Sequence, residues 1–316
     1  MDKTDKIFVA GHCGLVGRAI VRTLETDGYT NLIKRDRREL DLANERAVEE
    51  FFASEKPEIV VLAAAKVGGI KANSDYPVEF LIENLRLQNN IISSSHAHDV
   101  RKLLFLGSSC IYPKHAPQPI PETALLSGPL EPTNDAYAIA KIAGIKLCQA
   151  YASEYGENYI SAMPTNLYGP HDKFDLASSH VLAALLRKAH EAKARGASEI
   201  VVWGTGQPRR ELLHVDDMAD ACLFLLHNYD SPEIVNVGCG EDISIRDLVA
   251  LVCDVVGFHG EITYDTSKPD GTPRKLLDTS RLNGLGWRPK IPLREGITAT
   301  YEWFLEHELG SAVSAR

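Results

Sequence analysis

Tyr137 and Lys141 stand four residues apart in Tyr-Ala-Ile-Ala-Lys, downstream of Gly11-x-x-Gly14-x-x-Gly17. On a helix that spacing puts both side chains on one face, where an ammonium lowers the pKa of a phenol and makes it a usable proton donor or acceptor. Ser108, Ser109 and Cys110 follow the apolar run Lys102 to Gly107, and the C-terminal end of such a run is where open parallel sheets bind ligands. A hydroxyl there can donate to a carbonyl oxygen while Tyr137 exchanges a proton with the same oxygen and Lys141 holds a nicotinamide ribose. The glycine triplet lies between a strand-like and a helix-like run, the context in which a tight turn lets a pyrophosphate reach a helix N-terminus. Tyr137 as a surface aromatic and Lys141 as a solvated charge is the plainer alternative. The succession of glycines, strand-end serines and Tyr-x-x-x-Lys favours a nicotinamide-dependent reductase of carbonyl compounds.

These residues need a scaffold, and the apolar periodicity supplies one. Lys6 to Gly11, Asn31 to Lys34, Glu58 to Ala65 and Lys102 to Gly107 are short β-branched runs bounded on both sides, predicted as buried parallel strands. Leu15 to Thr26, Glu45 to Glu55 and Pro77 to His98 carry apolar residues at three- and four-residue spacing, as crossover helices do. The fold class predicted is α/β, a Rossmann-type doubly wound parallel sheet with a smaller C-terminal α/β substrate lobe. A helix over Asn134 to Tyr155 carries Tyr137 and Lys141, and a strand over Tyr159 to Leu167 follows. Further on the spacing predicts helices over Ser179 to Ala194, Asp216 to Asn228 and Ser244 to Val256, with Ser244 as N-cap, and strands over Glu199 to Trp203 and Glu233 to Val237. Trp303 falls in a last short helix. The expected division is 1–167 plus about 216–239 for the cofactor and about 168–215 plus 240–316 for the substrate.

Lys34, Arg35, Asp36, Arg37 and Arg38 close the second predicted strand. Arginine there accepts a 2′-phosphate and an acidic residue grips a ribose hydroxyl, so the basic majority favours NADP(H) while Asp36 keeps NAD(H) open. A solvated charged loop is the alternative.

The 316 residues, 44% hydrophobic with a net charge of −9, exclude domain-scale disorder and a general polyanion binder, so no nucleic acid is expected as partner. Six cysteines, at 13, 110, 148, 222, 239 and 253, include no Cys-x-x-Cys pair and no His cluster at metal-ligand spacing. Reduced thiols and no metal are expected. Met1 to Lys6 runs straight into an apolar strand without a signal-type segment, and no stretch approaches a membrane span, so a soluble cytoplasmic protein is expected.

Longer runs carry a resemblance. Ala63 to Ile70 (Ala-Ala-Ala-Lys-Val-Gly-Gly-Ile), Leu103 to Lys114 (Leu-Leu-Phe-Leu-Gly-Ser-Ser-Cys-Ile-Tyr-Pro-Lys), Glu131 to Asn134, Tyr137 to Lys146, Met163 to Pro170 and Lys268 to Lys275 extend over nearly the whole chain. By these runs the sequence resembles the extended short-chain dehydrogenases/reductases, and within them the GDP-L-fucose synthase group. That resemblance implies NADPH, a GDP-sugar substrate and a homodimer paired through Pro77 to His98 and Asn134 to Tyr155. It implies conversion of GDP-4-keto-6-deoxy-D-mannose to GDP-L-fucose by epimerisation at C3 and C5 and reduction at C4.

By the same resemblance Ser108, Tyr137 and Lys141 serve the reduction, Cys110 is the base that removes protons beside the ketone, and His180 the acid that returns them. Residue type alone leaves Cys110 and His180 open, as a small buried hydrophobe and a structural donor. Gly11, Gly14, Leu15, Val16, Gly17, Arg35, Arg37, Asp41, Leu42, Ala64, Leu106, Ser109, Lys141, Pro164, Asn166, Leu167 and His180 are expected to bind the cofactor. Lys188, Trp203, Arg210 and Asp270 are expected to hold the GDP-sugar, beside Arg187 and Arg209. The chain departs from the group at Cys13, where an arginine is usual, at Ser179, where an asparagine is usual, and over Arg209-Arg210-Glu-Leu212, where the group has Leu-Arg-Glu-Phe. A GDP-deoxyheptose or GDP-colitose precursor as substrate, or a fold kept for nucleotide-sugar or NADP binding alone, are the competing readings.

Overall fold

Ile7–Ala10 and Ile59–Leu62 are buried at every position, as strands covered on both faces must be. The computed structural model describes residues 1–176, 179–268 and 270–309. In chain order β1 (Ile7–Ala10), α1 (Leu15–Thr26), β2 (Leu32–Ile33), α2 (Glu45–Glu55), β3 (Ile59–Leu62), α3 (Ile70–Asp75), α4 (Pro77–Ala97) and β4 (Lys102–Leu106) alternate. They continue with α5 (Asp135–Tyr155), β5 (Tyr159–Pro164), β6 (Asn166–Tyr168), α6 (Val181–Ala194), β7 (Glu199–Trp203), β8 (Arg209–His214), α7 (Val215–Asn228) and β9 (Val235–Val237). Last come β10 (Asp242–Ser244), α8 (Ile245–Val256), β11 (Glu261–Asp265), β12 (Arg274–Lys275), α9 (Ser280–Leu285) and α10 (Leu293–Phe304).

The main sheet has the order β2-β1-β3-β4-β5-β9 and every pairing in it is parallel. Alternation along each strand splits the core. Phe8, Val60, Leu103 and Phe105 face Phe51, Phe52, Ile91, Ile92 and Ile145, while Ile7, Val9, Val61 and Leu104 face Ile20, Leu24, Met218, Cys222 and Leu225. Helices therefore cover both faces, and the doubly wound expectation holds. Strand order reverses between β1 and β3, which places a ligand crevice beyond their C-terminal ends.

The predicted strand Tyr159 to Leu167 is two strands in two sheets. β5 pairs with β9 up to Pro164↔Val237, and β6 then pairs with β8 from Asn166↔Leu212. Thr165 lies between them, its N–H given to Val237 O at 3.0 Å. β8 also takes β10 antiparallel and β12 parallel, while β7 and β11 form a separate parallel pair. A third core cluster, with Leu182, Leu186, Val202, Leu248, Val252 and Phe304, fills this C-terminal region. Ser244 caps α8 as predicted, its Oγ accepting from Asp247 N at 3.0 Å, an arrangement contributing about 1 kcal/mol. Among the described residues no helix is long and apolar enough to cross a membrane.

Candidate active site

At the end of β1 the chain turns at Gly11, where φ is +89° and an added Cβ would lie 2.6 Å from Ala64 N. Gly17 is as tightly placed, because a Cβ there would run into the Gly11 carbonyl. Only glycine lets α1 start this close to the β1 and β3 ends. Gly14 gives its N–H to Gly11 O at 3.0 Å and is the N-cap of α1, with no side chain capping the helix. The first-turn N–H groups, including those of Leu15 and Val16, are thus available to an anion, as a dinucleotide pyrophosphate requires.

The basic loop after β2 is partly committed already. Arg35 is paired with Glu55 at 2.6 Å, and exposed Arg37 lies 3.9 Å from Glu83. Asp36 accepts the N–H groups of Arg38 and Glu39 at 2.7 and 3.0 Å, and these bonds lower its pKa. It caps its own turn. Asp41 likewise accepts from Ala43 N, at 3.1 Å, and Leu42 packs on the core. Cys13 is exposed, with its sulfur 3.2 Å from His12 Nε2 and its carbonyl accepting from Arg18 Nε at 3.0 Å.

Beyond β4, Ser108 caps a short 3-10 turn (Ser109–Ile111), its Oγ accepting from Cys110 N at 3.2 Å. This turn sets the Cys110 thiol among Ser108, Asn134 at the N-cap of α5, and Lys275 of β12, whose Nζ is 3.3 Å from Sγ. Burial alone would raise the thiol pKa. The Lys275 charge and the hydrogen bonds with Ser108, Lys275 and Asn134 outweigh it, and the thiol ends below its ordinary value. Tyr137, on the first turn of α5, has Ser108 and Cys110 as polar neighbours and Phe80 edge-on at 6.5 Å. Cys110, Lys114, Gln118, Asn134, Arg274 and Lys275 line one cleft.

Lys141 lies one turn along α5 and is only 2% exposed. Its Nζ donates to Leu106 O at 2.8 Å and stands 4.7 Å from the Phe105 ring. Burial brings the ammonium down to about 7. Here the electrostatic expectation is corrected. Burial raises the Tyr137 phenol, the nearby Cys110 charge raises it further, and Ser108 only partly offsets them. The cation one turn away is spent on the β4 carbonyl, so Tyr137 holds its proton at neutral pH.

His180 is not part of the cluster around Cys110 in these contacts. The predicted helix from Ser179 begins at Val181, and His180 is its N-cap, with Nδ1 3.6 Å from buried Asp172. Asp172 raises the His180 pKa against the opposing effect of burial. Lys188 Nζ stands 5.3 Å over the Trp203 ring, and Lys268 Nζ 5.8 Å over it. Trp203 is 61% exposed. Arg210 donates to Thr272 O at 2.7 Å and has Asp270 as its charged neighbour, while Asp270 accepts from Thr205 N and Oγ1 at 2.7 and 2.8 Å. Arg209 is tied to Asp242 at 2.6 Å, and Arg187 to Glu191 at 2.8 Å. Pro164, Asn166 and Leu167 flank the crossing from β5 to β6, and Asn166 Nδ2 donates to Glu211 O at 2.9 Å.

Sequence reasoning passed over Lys275, Asn134, Asp172 and Glu211. Lys275 meets Cys110 across 165 positions of chain, so no spacing pattern points to it. Glu211 is fully buried, and its carboxylate accepts from Gly240 N at 2.7 Å and Leu277 N at 3.0 Å, joining β8 to the segment that carries Lys275. Glu211 follows two arginines in β8, so its charge read along the chain gives no sign of its burial.

The pyrophosphate cradle, the uncapped α1 N-terminus and the buried Lys141 fit a nicotinamide dinucleotide. Residues 7–238 match the NAD dependent epimerase/dehydratase family. The chain is 61% identical to GDP-L-fucose synthase 1 of Arabidopsis thaliana, over 97% of this chain and 95% of that one. It is 54% identical to GDP-L-fucose synthase of Escherichia coli (strain K12), over 96% and 97%. Among solved structures, a GDP-L-fucose synthetase from Naegleria fowleri bound to NADP is 30% identical with a TM-score of 0.90, covering 98% of this chain and 96% of that one. The chain belongs to the NAD dependent epimerase/dehydratase family.

Proposed function

We propose that the protein converts GDP-4-keto-6-deoxy-D-mannose to GDP-L-fucose, epimerising C3 and C5 and then reducing the C4 ketone with NADPH. One observation carries the reading. Ser108 is a hydrogen-bonding neighbour of both Tyr137 and Cys110, so a hydroxyl pair able to hold a carbonyl oxygen adjoins a thiol below its ordinary pKa. A simple reductase has no use for such a thiol.

Protons on carbons beside a ketone are acidic because the resulting enolate places its charge on the carbonyl oxygen, where Ser108 and Tyr137 can hold it. Cys110 as thiolate takes the proton from one face, and the C–H electron pair moves into the enolate. His180, kept protonated by Asp172, returns a proton from the other face, which inverts the carbon. In the reduction the nicotinamide, when bound, supplies hydride to C4. Tyr137, which retains its proton, gives it to the C4 oxygen. Gly11, Gly14, Leu15, Val16 and Gly17 would hold the pyrophosphate, Arg35 and Arg37 a 2′-phosphate, and Lys141 the nicotinamide ribose.

Lys188, Trp203, Arg210 and Asp270 are the proposed GDP-sugar contacts, on the pieces 168–215 and 240–316 assigned to the substrate lobe. A homodimer through α4 and α5 is part of the proposal, supported by exposed Val78, Ile82, Ile139 and Tyr155 on those helices. Cytoplasmic location is supported by the free state of all six cysteines. Incubation with GDP-4-keto-6-deoxy-D-mannose and either nicotinamide in D₂O, with NMR of the product, tests the reading. GDP-L-fucose deuterated at C3 and C5, formed faster with NADPH, is expected. Failure on this sugar with turnover of a GDP-4-ketoheptose would replace the substrate.

A further inference from the structure

We propose that Lys275 holds Cys110 as the thiolate and so makes it a base, acting as a positioning residue. The geometry is specific. Lys275 Nζ lies 3.3 Å from Cys110 Sγ, and among the described residues no carboxylate lies within 4.0 Å of that ammonium. The thiolate is its counter-charge.

Lys275 is also held in place at both ends. β12 pairs with β8 in the register Arg274↔Arg209 and Lys275↔Arg210. The Arg274 guanidinium is fixed 2.5 Å from Asp242, which also holds Arg209. After Lys275, Leu276 N donates to Gln118 Oε1 at 2.9 Å and Leu277 N to the buried Glu211 carboxylate at 3.0 Å. A two-residue strand with such anchoring keeps a long flexible side chain in one place, which an ammonium needs if it is to act on a single sulfur.

The groups that face the thiol are Lys275 from β12, Ser108 from the end of β4, and Asn134 and Tyr137 from the start of α5. Lys275 is the cation in hydrogen-bond contact with the thiol, while Lys114, paired with Glu131, and Arg274, paired with Asp242, line the same cleft. The lowered thiol pKa agrees with this arrangement. In the epimerisation step the C–H bond at C3 or C5 breaks, the S–H bond of Cys110 forms, and the electron pair passes to the enolate oxygen. Lys275 neither gains nor loses a proton.

The second half of the test rests on the proposed reaction, whereas the first half does not. Purified Lys275→Met, Lys275→Gln and Lys275→Arg chains are alkylated with iodoacetamide across pH 6 to 10 without substrate, and the Cys110 peptide is followed by mass spectrometry. The neutral variants should lose roughly tenfold or more of the rate at pH 7, with the midpoint moved up, and Lys275→Arg should restore most of it. Deuterium entry at C3 and C5 should fall in parallel, with its ascending limb moved to higher pH. An unchanged alkylation midpoint in whichever neutral variant folds, judged by circular dichroism, overturns the inference, and so does an arginine variant no better than methionine. A shifted midpoint in a protein whose parent form never exchanges deuterium would keep the ion pair and discard the proposed epimerisation.

Discussion

The ammonium of Lys141 donates to the main-chain carbonyl of Leu106 at 2.8 Å, so the α5 cation is anchored to the strand that ends at Ser108. Burial leaves this group near neutral at about 7 instead of 10.5. Between those values the unfolded chain binds a proton that the folded chain lacks, so the contribution of this site to stability rises with pH across that window and is least below it. Lys141→Met is therefore expected to raise Tm at pH 7 by roughly 2–8 °C and to flatten its rise towards pH 10, while abolishing turnover. Thermal unfolding at pH 6, 7, 8 and 9 checks this, and a fall in Tm at pH 7 would count against it.

Asp172 raises the pKa of His180, the proposed acid, which favours its protonated form. An acid works below its pKa, so deuterium return should decline as pH rises through the His180 value. Asp172→Asn removes the carboxylate and should bring that descending limb to lower pH, with about a tenfold loss at pH 7.5. A limb that stays in place would separate the two residues.

Gly17 faces the Gly11 carbonyl with no room for a methyl group. Gly17→Ala must push α1 away from the end of β1, at about 1–3 kcal/mol of stability, and weaken NADPH by more than it weakens the GDP-sugar. Titration of NADPH fluorescence and calorimetry with GDP compare the two. Equal losses would mean a general loosening.

Much of this could be read along the chain. Buried parallel strands betray themselves by continuous β-branched runs, and the glycine loop and Tyr137-x-x-x-Lys141 are local spacings. The short strands around β8 could not be read so, because β10 and β12 span three and two residues, too few for a period. The break at Pro164 and Thr165 is hidden because a strand runs on either side of it and only the sheet that receives the strand changes. Lys275 and Asp172 act through tertiary contact, which no residue spacing encodes. The phenol–ammonium expectation failed for a related reason: helix spacing sets the face, but the Leu106 carbonyl decides where the ammonium goes.

The central claim is that one cleft performs two separable chemistries on one ketone. Tyr137→Phe, incubated with GDP-4-keto-6-deoxy-D-mannose and NADPH in D₂O, tests it most directly when NADPH oxidation and deuterium at C3 and C5 are followed in one NMR and absorbance experiment. Oxidation slowed by about 10²-fold or more, with deuterium still entering both carbons, is the expected result. Unimpaired oxidation, or loss of both activities in a folded protein, would contradict it.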